Sequence, residues 1–197
     1  STYRIKKPMV AYNDHATGRQ RGSILETILS GKSVALVSDA GTPLISDPGY
    51  KLVQAVQEAG ALVSAIPGAN AALSAIQLSG LPSHTFTFLG FLPPKSAGRK
   101  AKLEPWKESD GSLVFYETAP RLIESLKDMK AVLGDRPAAV VREITKLFEE
   151  VKRDKLSKLI AHYDRNGLPK GEIVIVVGPA EPEEAETGAS IESQLKL

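Results

Sequence analysis

The chain has 197 residues, of which 42% are hydrophobic and 24% are charged, and its formal net charge is +2. These values are typical of a globular protein with one large domain or two small ones. The absence of cysteine excludes disulfides and thiolate–metal sites, and three scattered histidines do not form a cluster, so we expect no metal. No apolar run approaches the roughly 18 residues that a membrane span requires, and we therefore expect a soluble, cytoplasmic protein.

The first part of the chain alternates between strand and helix patterns. Apolar runs predict strands over 9–12, 33–38 and 61–66, and helical spacing of apolar residues predicts helices over 19–30, 50–59 and 69–78. Strands that alternate with helices at this spacing indicate a mostly parallel sheet with right-handed crossovers. We therefore predict an N-terminal α/β domain over residues 1–83.

The second part repeats this alternation and predicts a C-terminal α/β domain over residues 84–178. Its predicted strands are 85–91, 112–116, 138–144 and 172–177, and its predicted helices are 99–108, 120–133 and 154–165. A basic, glycine-containing loop is predicted from Lys95 to Lys102. Residues 179–197 are acidic and poor in apolar side chains, so we expect a disordered tail.

Charge is unevenly divided along the chain. Residues 91–180 contain 17 Lys or Arg and 13 Asp or Glu, which gives +4, whereas residues 181–197 contain 1 and 5, which gives −4. The basic excess favours a polyanionic partner, although solvated surface charge would give the same count.

Two consecutive turns follow the strand predicted over 33–38. They are Asp39-Ala-Gly-Thr-Pro43 and Ser46-Asp-Pro-Gly49. Open α/β sheets bind ligands at the carboxyl ends of their strands, and Gly41 permits close approach of the backbone. Neither the Rossmann nor the P-loop pattern is present, which favours a ligand without phosphates, held by backbone amides and an apolar shelf at Ile45. The alternative is a tight turn in which Asp47 caps the next helix.

A second candidate ligand loop is Pro67-Gly-Ala-Asn70, where a predicted strand passes into a helix of small residues. The first amides of that helix can bind a polar group, and its small side chains leave room for a flat ring. The alternative is that Asn70 is an ordinary N-cap.

In the second half, charged residues follow two predicted strands. They are Glu117 and Arg121 after one strand, and Arg142 and Lys146 after the next. The alternative to a functional role is a buried structural Arg–Glu pair.

Seven motifs occur in order between residues 9 and 178. They are Val37-Ser-Asp-Ala-Gly-Thr-Pro-Leu-Ile-Ser-Asp-Pro-Gly49, Pro67-Gly68, Gly80-Leu-Pro-Ser83, Gly90-Phe-Leu-Pro-Pro-Lys95, Phe115-Tyr-Glu117, Arg142-Glu-Ile-Thr-Lys146 and Lys170-Gly-Glu172. Together they resemble the tetrapyrrole methylase superfamily of S-adenosylmethionine enzymes, and within it the branch that methylates ribosomal RNA. The resemblance implies two α/β domains with the cofactor in the cleft between them, usually in a homodimer.

The same resemblance implies 2′-O-methylation of a cytidine ribose in the 16S ribosomal RNA of the small subunit. Tetrapyrrole-acting members commonly have Gly-Gly-Asp-Pro where this chain has Ala40-Gly-Thr-Pro43, which favours the RNA branch. Family members begin with a strand and a Thr-Pro-Ile-Gly-Asn loop, neither of which occurs here, so we expect a truncated first domain. A tetrapyrrole C-methyltransferase and an inactive fragment that binds cofactor or RNA remain alternatives.

Site residues follow from the resemblance and from the chemistry of methyl transfer. The resemblance implies that the cofactor is bound by Asp39, Ala40, Gly41, Thr42, Ile45, Asn70, Ala71, Glu117 and Ile144. A ribose hydroxyl needs a base or a charge that stabilises the developing alkoxide, and the candidates are His15, Arg142 and Lys146. His15 is equally compatible with an exposed turn. Basic residues expected to contact RNA phosphates are Lys95, Arg99, Lys100 and Arg121.

Overall fold

The computed structural model describes residues 6–13 and 18–180. The chain forms two compact units, Ser1–Asn70 and Ala71–Leu197, called here the first unit and the second unit. His15 and the acidic residues 181–197 lie outside the described residues. Within the described residues, no helix has the length and apolar composition needed to cross a bilayer.

The first unit contains two helices, α1 (Gly18–Leu29) and α2 (Tyr50–Glu58), which contact each other. Both helices were predicted within one residue of these ends. Helix α2 buries Leu52 and Val56 on one stripe and ends at Ala59-Gly60, where Gly60 has φ 76°.

The strands predicted over 9–12, 33–38 and 61–66 are wrong, since no described residue of the first unit belongs to a strand. Their apolar side chains are largely exposed: Val37 is 69% exposed and Leu62 is 92% exposed. A continuous apolar run forms a buried strand only where neighbouring strands complete its hydrogen bonds and helices cover its faces. The described part of the first unit contains no strand pairing.

The second unit is built on a five-stranded sheet. Its strands are β1 (Phe86–Phe91), β2 (Ser112–Thr118), β3 (Pro137–Arg142), β4 (Glu150–Lys155) and β5 (Glu172–Val177), in the order β1-β2-β5-β3-β4. Strands β1 and β2 are parallel. Strand β5 lies between β2 and β3 and is antiparallel to both, and β3 and β4 are antiparallel to each other. The α/β class is thus confirmed, but the expected mostly parallel sheet is wrong.

Helices cover both faces of this sheet. They are α3 (Ala71–Ser79) on one face and α4 (Ser96–Leu103), α5 (Leu122–Leu133) and α6 (Leu156–Asn166) on the other. Successive side chains of β3 lie on opposite faces of the sheet: Val140 packs on the α4–α6 side and Val141 on the α3 side. The sheet is therefore apolar on both faces, and each fully buried aliphatic side chain contributes about 1.5–3 kcal/mol.

Helix α3 packs on the sheet of the second unit, although the sequence placed it in a domain over 1–83. Arg153 of β4 fixes its carboxyl end by donating from Nε to the Ser79 carbonyl oxygen (2.9 Å) and from Nη2 to that of Leu78. The domain boundary between 83 and 84 stays a prediction.

Two segments of the second unit differ from their predictions. The basic stretch Lys95–Lys102 is mostly helix α4, extended by a 3₁₀ turn over Glu104–Trp106, rather than a loop. Strand β4 was not predicted at all. A second 3₁₀ turn, Ala119–Arg121, connects β2 to α5.

Candidate functional site

The doubled turn of the first unit is partly exposed and has an unusual backbone. Asp39, Ala40 and Gly41 are exposed. Left-handed backbone angles occur at Gly41 (φ 71°), Leu44 (φ 74°) and Ser46 (φ 60°). Each left-handed residue with a side chain costs about 1–2 kcal/mol, so the surrounding structure must hold this shape in place.

Gly49 ends the doubled turn in a position that only glycine can occupy. Its φ is 135°, and a Cβ added there would come within 2.5 Å of the Leu36 side chain and 3.1 Å of that of Leu44. The close approach of these side chains to the Gly49 backbone fixes the start of α2 relative to the turn.

The two predicted ligand loops lie next to each other. The Thr42 hydroxyl donates a hydrogen bond to the Ala69 carbonyl oxygen at 2.8 Å. A Cβ added to Gly41 would lie 3.7 Å from the same oxygen. The structure therefore brings the segments 39–45 and 66–70 together through a side-chain hydrogen bond. Ile45 remains 38% exposed beside them, as an apolar shelf requires.

This arrangement fits a ligand that is held by backbone groups and a small apolar surface. Residues 39–41 are exposed, the Ser38 hydroxyl donates to the carbonyl oxygens of Ala40 and Gly41, and Thr42 holds the loop against Ala69. Asn70 and Ala71 follow directly in the chain, and Ala71 begins α3.

The candidate residues of the second unit lie at one end of its sheet. Strands β2 and β3 both end there, with Glu117 and Arg142 each paired with Ile173 at the start of β5. Glu150, at the start of β4, is paired with Arg142 on its other side. Glu117, Ile173, Arg142 and Glu150 therefore form one row across four strands.

Glu117 is an internal anchor in this row. It is 3% exposed, and its carboxylate accepts hydrogen bonds from the Ser125 hydroxyl and from the Thr118 amide at 2.8 Å. Arg121 Nε lies 3.3 Å from its Oε1. This is an Arg–Glu pair, the structural alternative considered above, although the Arg121 side chain is 29% exposed. The Ser125 hydrogen bond ties β2 to α5. A direct cofactor contact by Glu117 stays a prediction.

The segment after β3 carries a network of charged side chains. Arg142 Nε lies 3.1 Å from Glu150 Oε2, while Lys146 Nζ donates to Glu143 Oε1 at 2.9 Å and to Glu172 Oε2 at 3.0 Å. Glu143 Oε1 also accepts the Glu172 amide at 2.9 Å. The hydrogen bond from Glu143, followed by that from Glu172, raises the pKa of Lys146. Lys146 therefore stays a cation at neutral pH and cannot act as a base.

The two candidate regions share an unusual backbone conformation. Among the described residues, left-handed backbone at a residue other than glycine occurs only at Leu44 and Ser46 of the doubled turn and at Glu143 and Thr145 after β3. Residues held in such conformations concentrate at ligand sites and switch regions. Ile144, between the second pair, packs against the α3 side of the sheet.

A cavity of about 550 Å³ lies beside the charged row. It is lined by Arg142, Glu150, His162, Tyr163, Lys170 and other residues of the segments 142–150 and 162–171. Burial, followed by the Glu150 charge, raises the pKa of Tyr163 to about 12, so its hydroxyl remains protonated at neutral pH. Sequence patterns did not single out Tyr163, because its position on the apolar stripe of α6 is typical of a core residue.

The four predicted RNA-contacting residues differ in accessibility. Lys95 and Lys100 are exposed, and Lys100 Nζ lies 3.7 Å from Asp128 Oδ1. Arg99 is 5% exposed, with Nε 2.7 Å from Asp128 Oδ2 and Nη1 donating to the Pro94 carbonyl oxygen. Arg121 donates to the carbonyl oxygens of Leu92 and Pro93. The guanidinium groups of Arg99 and Arg121 are thus engaged within the protein.

Sequence comparison identifies relatives of the chain. A family model described as Tetrapyrrole (Corrin/Porphyrin) Methylases matches residues 5–160. Ribosomal RNA small subunit methyltransferase I of Mesorhizobium japonicum is 47% identical over 180 residues, which are 91% of this chain and 61% of the relative. The protein of that name from Thermotoga maritima is 41% identical over 91% of this chain and 80% of the relative. This chain therefore spans less than two thirds of the first relative's length.

Solved structures share the fold at low sequence identity. A diphthine synthase has a TM-score of 0.62 and 18% identity, with 82% of this chain and 65% of that chain covered. A uroporphyrin-III C-methyl transferase from Thermus thermophilus, complexed with S-adenyl homocysteine, has a TM-score of 0.54 and 19% identity. The coverage is 81% of this chain and 74% of that chain.

Proposed function

The chain belongs to the tetrapyrrole (corrin/porphyrin) methylase family, and from this premise we propose that it acts in the S-adenosylmethionine-dependent methylation of ribosomal RNA. The membership confirms the resemblance that the motifs indicated. The observation that carries the proposal is the match, over 91% of this chain, to relatives named Ribosomal RNA small subunit methyltransferase I. We further propose that the methylated group is the 2′-hydroxyl of a cytidine in 16S RNA within the small subunit, and that a homodimer in the cytoplasm performs the reaction.

S-adenosylmethionine suits the doubled turn better than a phosphate-bearing cofactor does. The proposed binding residues in the first unit are Asp39–Thr42 with Ile45, joined to the segment 66–70 by the Thr42–Ala69 hydrogen bond. The exposed residues 39–41 and Ile45 fit a ligand with an amino acid moiety, a ribose and an apolar ring face. When bound, the cofactor supplies a methyl group that its sulfonium already activates.

The protein's main contribution is to position the ribose oxygen. Holding two reacting groups in line can lower a barrier by about 7–11 kcal/mol in favourable cases. Arg142 and Lys146 are proposed to stabilise negative charge near the reacting oxygen or on a neighbouring phosphate, in exchange for their carboxylate partners. His15 remains the proposed base, and Glu117 and Ile144 remain proposed cofactor residues of the second unit.

The proposal is tested by methyl transfer from labelled S-adenosylmethionine to small ribosomal subunits that lack the modification. We expect label in 16S RNA, at a cytidine whose 3′ phosphodiester bond resists alkaline cleavage, as a 2′-O-methyl group requires. Transfer to a tetrapyrrole instead of RNA would establish the alternative C-methyltransferase. Binding of cofactor or RNA without any transfer would identify the chain as a binding fragment.

A further inference from the structure

Strand β1 contains a bulge that changes the direction of its last side chain. Phe88 is paired with Val114 of β2, but the next pair is Gly90 with Phe115, so Leu89 is an extra residue. Gly90 has φ 62°, a conformation that glycine adopts without strain. Bulges of this kind redirect side chains and are frequent next to functional sites.

The bulge places Phe91 on the α3 side of the sheet. Phe91 is paired with Tyr116, whereas a regular strand would pair it with Glu117 and direct it toward α5. The rings of Phe88 and Phe91 lie 4.8 and 5.6 Å from that of Tyr116, both in edge-to-face geometry. Phe91 nevertheless stays 47% exposed. We call this group of Phe88, Phe91 and Tyr116 the aromatic edge.

Three basic side chains hold the backbone that carries Phe91. Lys102 Nζ donates to the carbonyl oxygens of Leu89 (2.7 Å) and Phe91 (3.0 Å). Arg121 Nη2 donates to those of Leu92 (2.6 Å) and Pro93 (3.1 Å), and Arg99 Nη1 to that of Pro94 (2.7 Å). We call Arg99, Lys102 and Arg121 the cationic clamp.

Buried carboxylates pair with the two arginines of the clamp. Asp128 pairs with Arg99 at 2.7 Å and Glu117 with Arg121 at 3.3 Å. The segment 89–94 therefore has a defined shape, although only residues 89–91 belong to a regular element, the end of β1. An exposed aromatic ring on a backbone held this firmly loses little conformational freedom when it binds a ligand.

We propose that the aromatic edge binds an unpaired base of the RNA substrate by stacking on Phe91. This inference rests on the proposed function and adds a substrate contact to it. Proteins recognise single-stranded RNA by stacking its bases on aromatic rings while basic residues follow the phosphates. Lys95, four residues beyond Phe91, and Lys100 on α4 are exposed, and we assign the phosphate contacts to them. An exposed aromatic ring with cationic side chains nearby in the chain favours single-stranded RNA as the occupant.

The first experiment compares Phe91→Ala with Phe91→Tyr, using a fluorescein-labelled cytidine decaribonucleotide and fluorescence anisotropy. Loss of one stacking ring is expected to weaken binding about 5- to 100-fold. Phe91→Tyr retains a stacking face and is expected to bind as the unchanged chain does. Tyr50→Ala is the matched control, because Tyr50 is an exposed aromatic on α2 that the proposal does not use.

Two further measurements separate RNA from other occupants of the aromatic edge. Calorimetric S-adenosylmethionine affinity and molar mass by light scattering are expected to be equal in Phe91→Ala and the unchanged chain. If Phe91→Ala lost as much affinity for S-adenosylmethionine as for RNA, the aromatic edge would bind the cofactor. If its molar mass changed, the aromatic edge would be an interface between two copies of the chain. Either result overturns the inference.

Lys102→Met tests whether the clamp positions Phe91. We expect a raised KM for small ribosomal subunits with unchanged cofactor affinity, and restoration of KM by Lys102→Arg. If the unchanged chain neither binds the decaribonucleotide nor transfers methyl groups to small subunits, the proposed function fails together with this inference. If it does both and Phe91→Ala behaves identically, only the inference fails.

Discussion

Gly171 shows how closely the backbone and the charged network after β3 are packed. Its φ is 100°, and a Cβ added there would overlap the Glu143 carboxylate. We expect Gly171→Ala to lower the free energy of unfolding through both backbone strain and this overlap. Gly134→Ala is the matched control, because Gly134 has φ 87° and nothing within 4 Å of an added Cβ. The control should lose only the strain cost, about 1–3 kcal/mol, in urea unfolding, and Gly171→Ala should lose more.

Glu143 gives the folded chain a specific pH dependence. The Glu172 amide, and then Lys146, hold the pKa of the Glu143 carboxyl below its usual value. A lowered folded-state pKa stabilises the fold above the unfolded-state value of about 4.3, and this stabilisation disappears as pH falls through the folded-state pKa. Glu143→Gln should therefore have a lower Tm than the unchanged chain at pH 7, with a difference that shrinks in acid. A difference that stays constant from pH 7 to pH 3 would contradict this account.

Thr42 is the residue whose single hydrogen bond joins the two candidate ligand loops. Thr42→Val removes the donor to Ala69 and should weaken S-adenosylmethionine binding, because the loops lose their common geometry. Isothermal calorimetry measures the effect, and a loss of about 1 kcal/mol, or roughly fivefold in affinity, is typical of one hydrogen bond. Thr27→Val removes a comparable donor to the Ser23 carbonyl oxygen on α1 and should leave affinity unchanged. If both variants bound S-adenosylmethionine with the same affinity, the Thr42 hydrogen bond would have no role in cofactor binding.

Among the elements, α4 and α5 are joined by a buried ion pair. Asp128 Oδ2 lies 2.7 Å from Arg99 Nε, and Asp128 Oδ1 accepts a hydrogen bond from the Ser96 hydroxyl at 2.8 Å. Asp128→Ala leaves the Arg99 guanidinium buried without its partner, and such a loss costs about 3–5 kcal/mol. Urea unfolding measures the change. Lys127→Ala, which removes an exposed partner of Glu124 on α5, should unfold at the same urea concentration as the unchanged chain.

Periodic apolar residues predicted the buried elements well. Helices α2 and α5 and strand β5 have stripes or runs of apolar side chains, and their observed bounds are close to the predicted ones. Strand β4 was missed because its sequence, Glu-Val-Lys-Arg-Asp-Lys, contains one apolar residue and lies at the sheet edge. The first part of helix α4 was predicted as a loop, because the segment contains Gly98 and several basic residues. Its buried side consists only of Arg99 and Leu103, which is too short a pattern to indicate a helix.

The candidate site was predictable where it depends on backbone chemistry. Turn residues indicated the loops around Gly41 and Asn70, and the structure places the first loop against Ala69. The partners of charged side chains could not be predicted in the same way. Glu117 and Arg99 resemble surface residues in the sequence, but strand register and helix packing bury them against Ser125 and Asp128. The Leu89 bulge, which decides the direction of Phe91, has only Gly90 as its signal.

For the molecule as a whole, the basic excess of residues 91–180 predicts salt-sensitive binding of RNA. Lys95→Ala and Lys100→Ala should each weaken binding of single-stranded RNA and reduce the slope of log affinity against log salt by about 0.7. Anisotropy titrations at salt concentrations from about 50 to about 200 mM measure the slope. Lys158→Ala, on the exposed side of α6, is the control and should keep the slope of the unchanged chain. A slope that none of the three variants alters would place the RNA phosphates elsewhere.

The position of β5 has a consequence for how the chain acquires its structure during synthesis. It is the last strand of the described residues but lies in the middle of the sheet, between β2 and β3. Before residues 172–177 emerge from the ribosome, β1–β2 and β3–β4 can exist only as separate two-stranded pairs, which are marginally stable in water. Stable folding of the second unit therefore has to wait until translation has passed Val177, so a nascent chain halted before β5 should remain sensitive to protease and one halted well after it should be resistant.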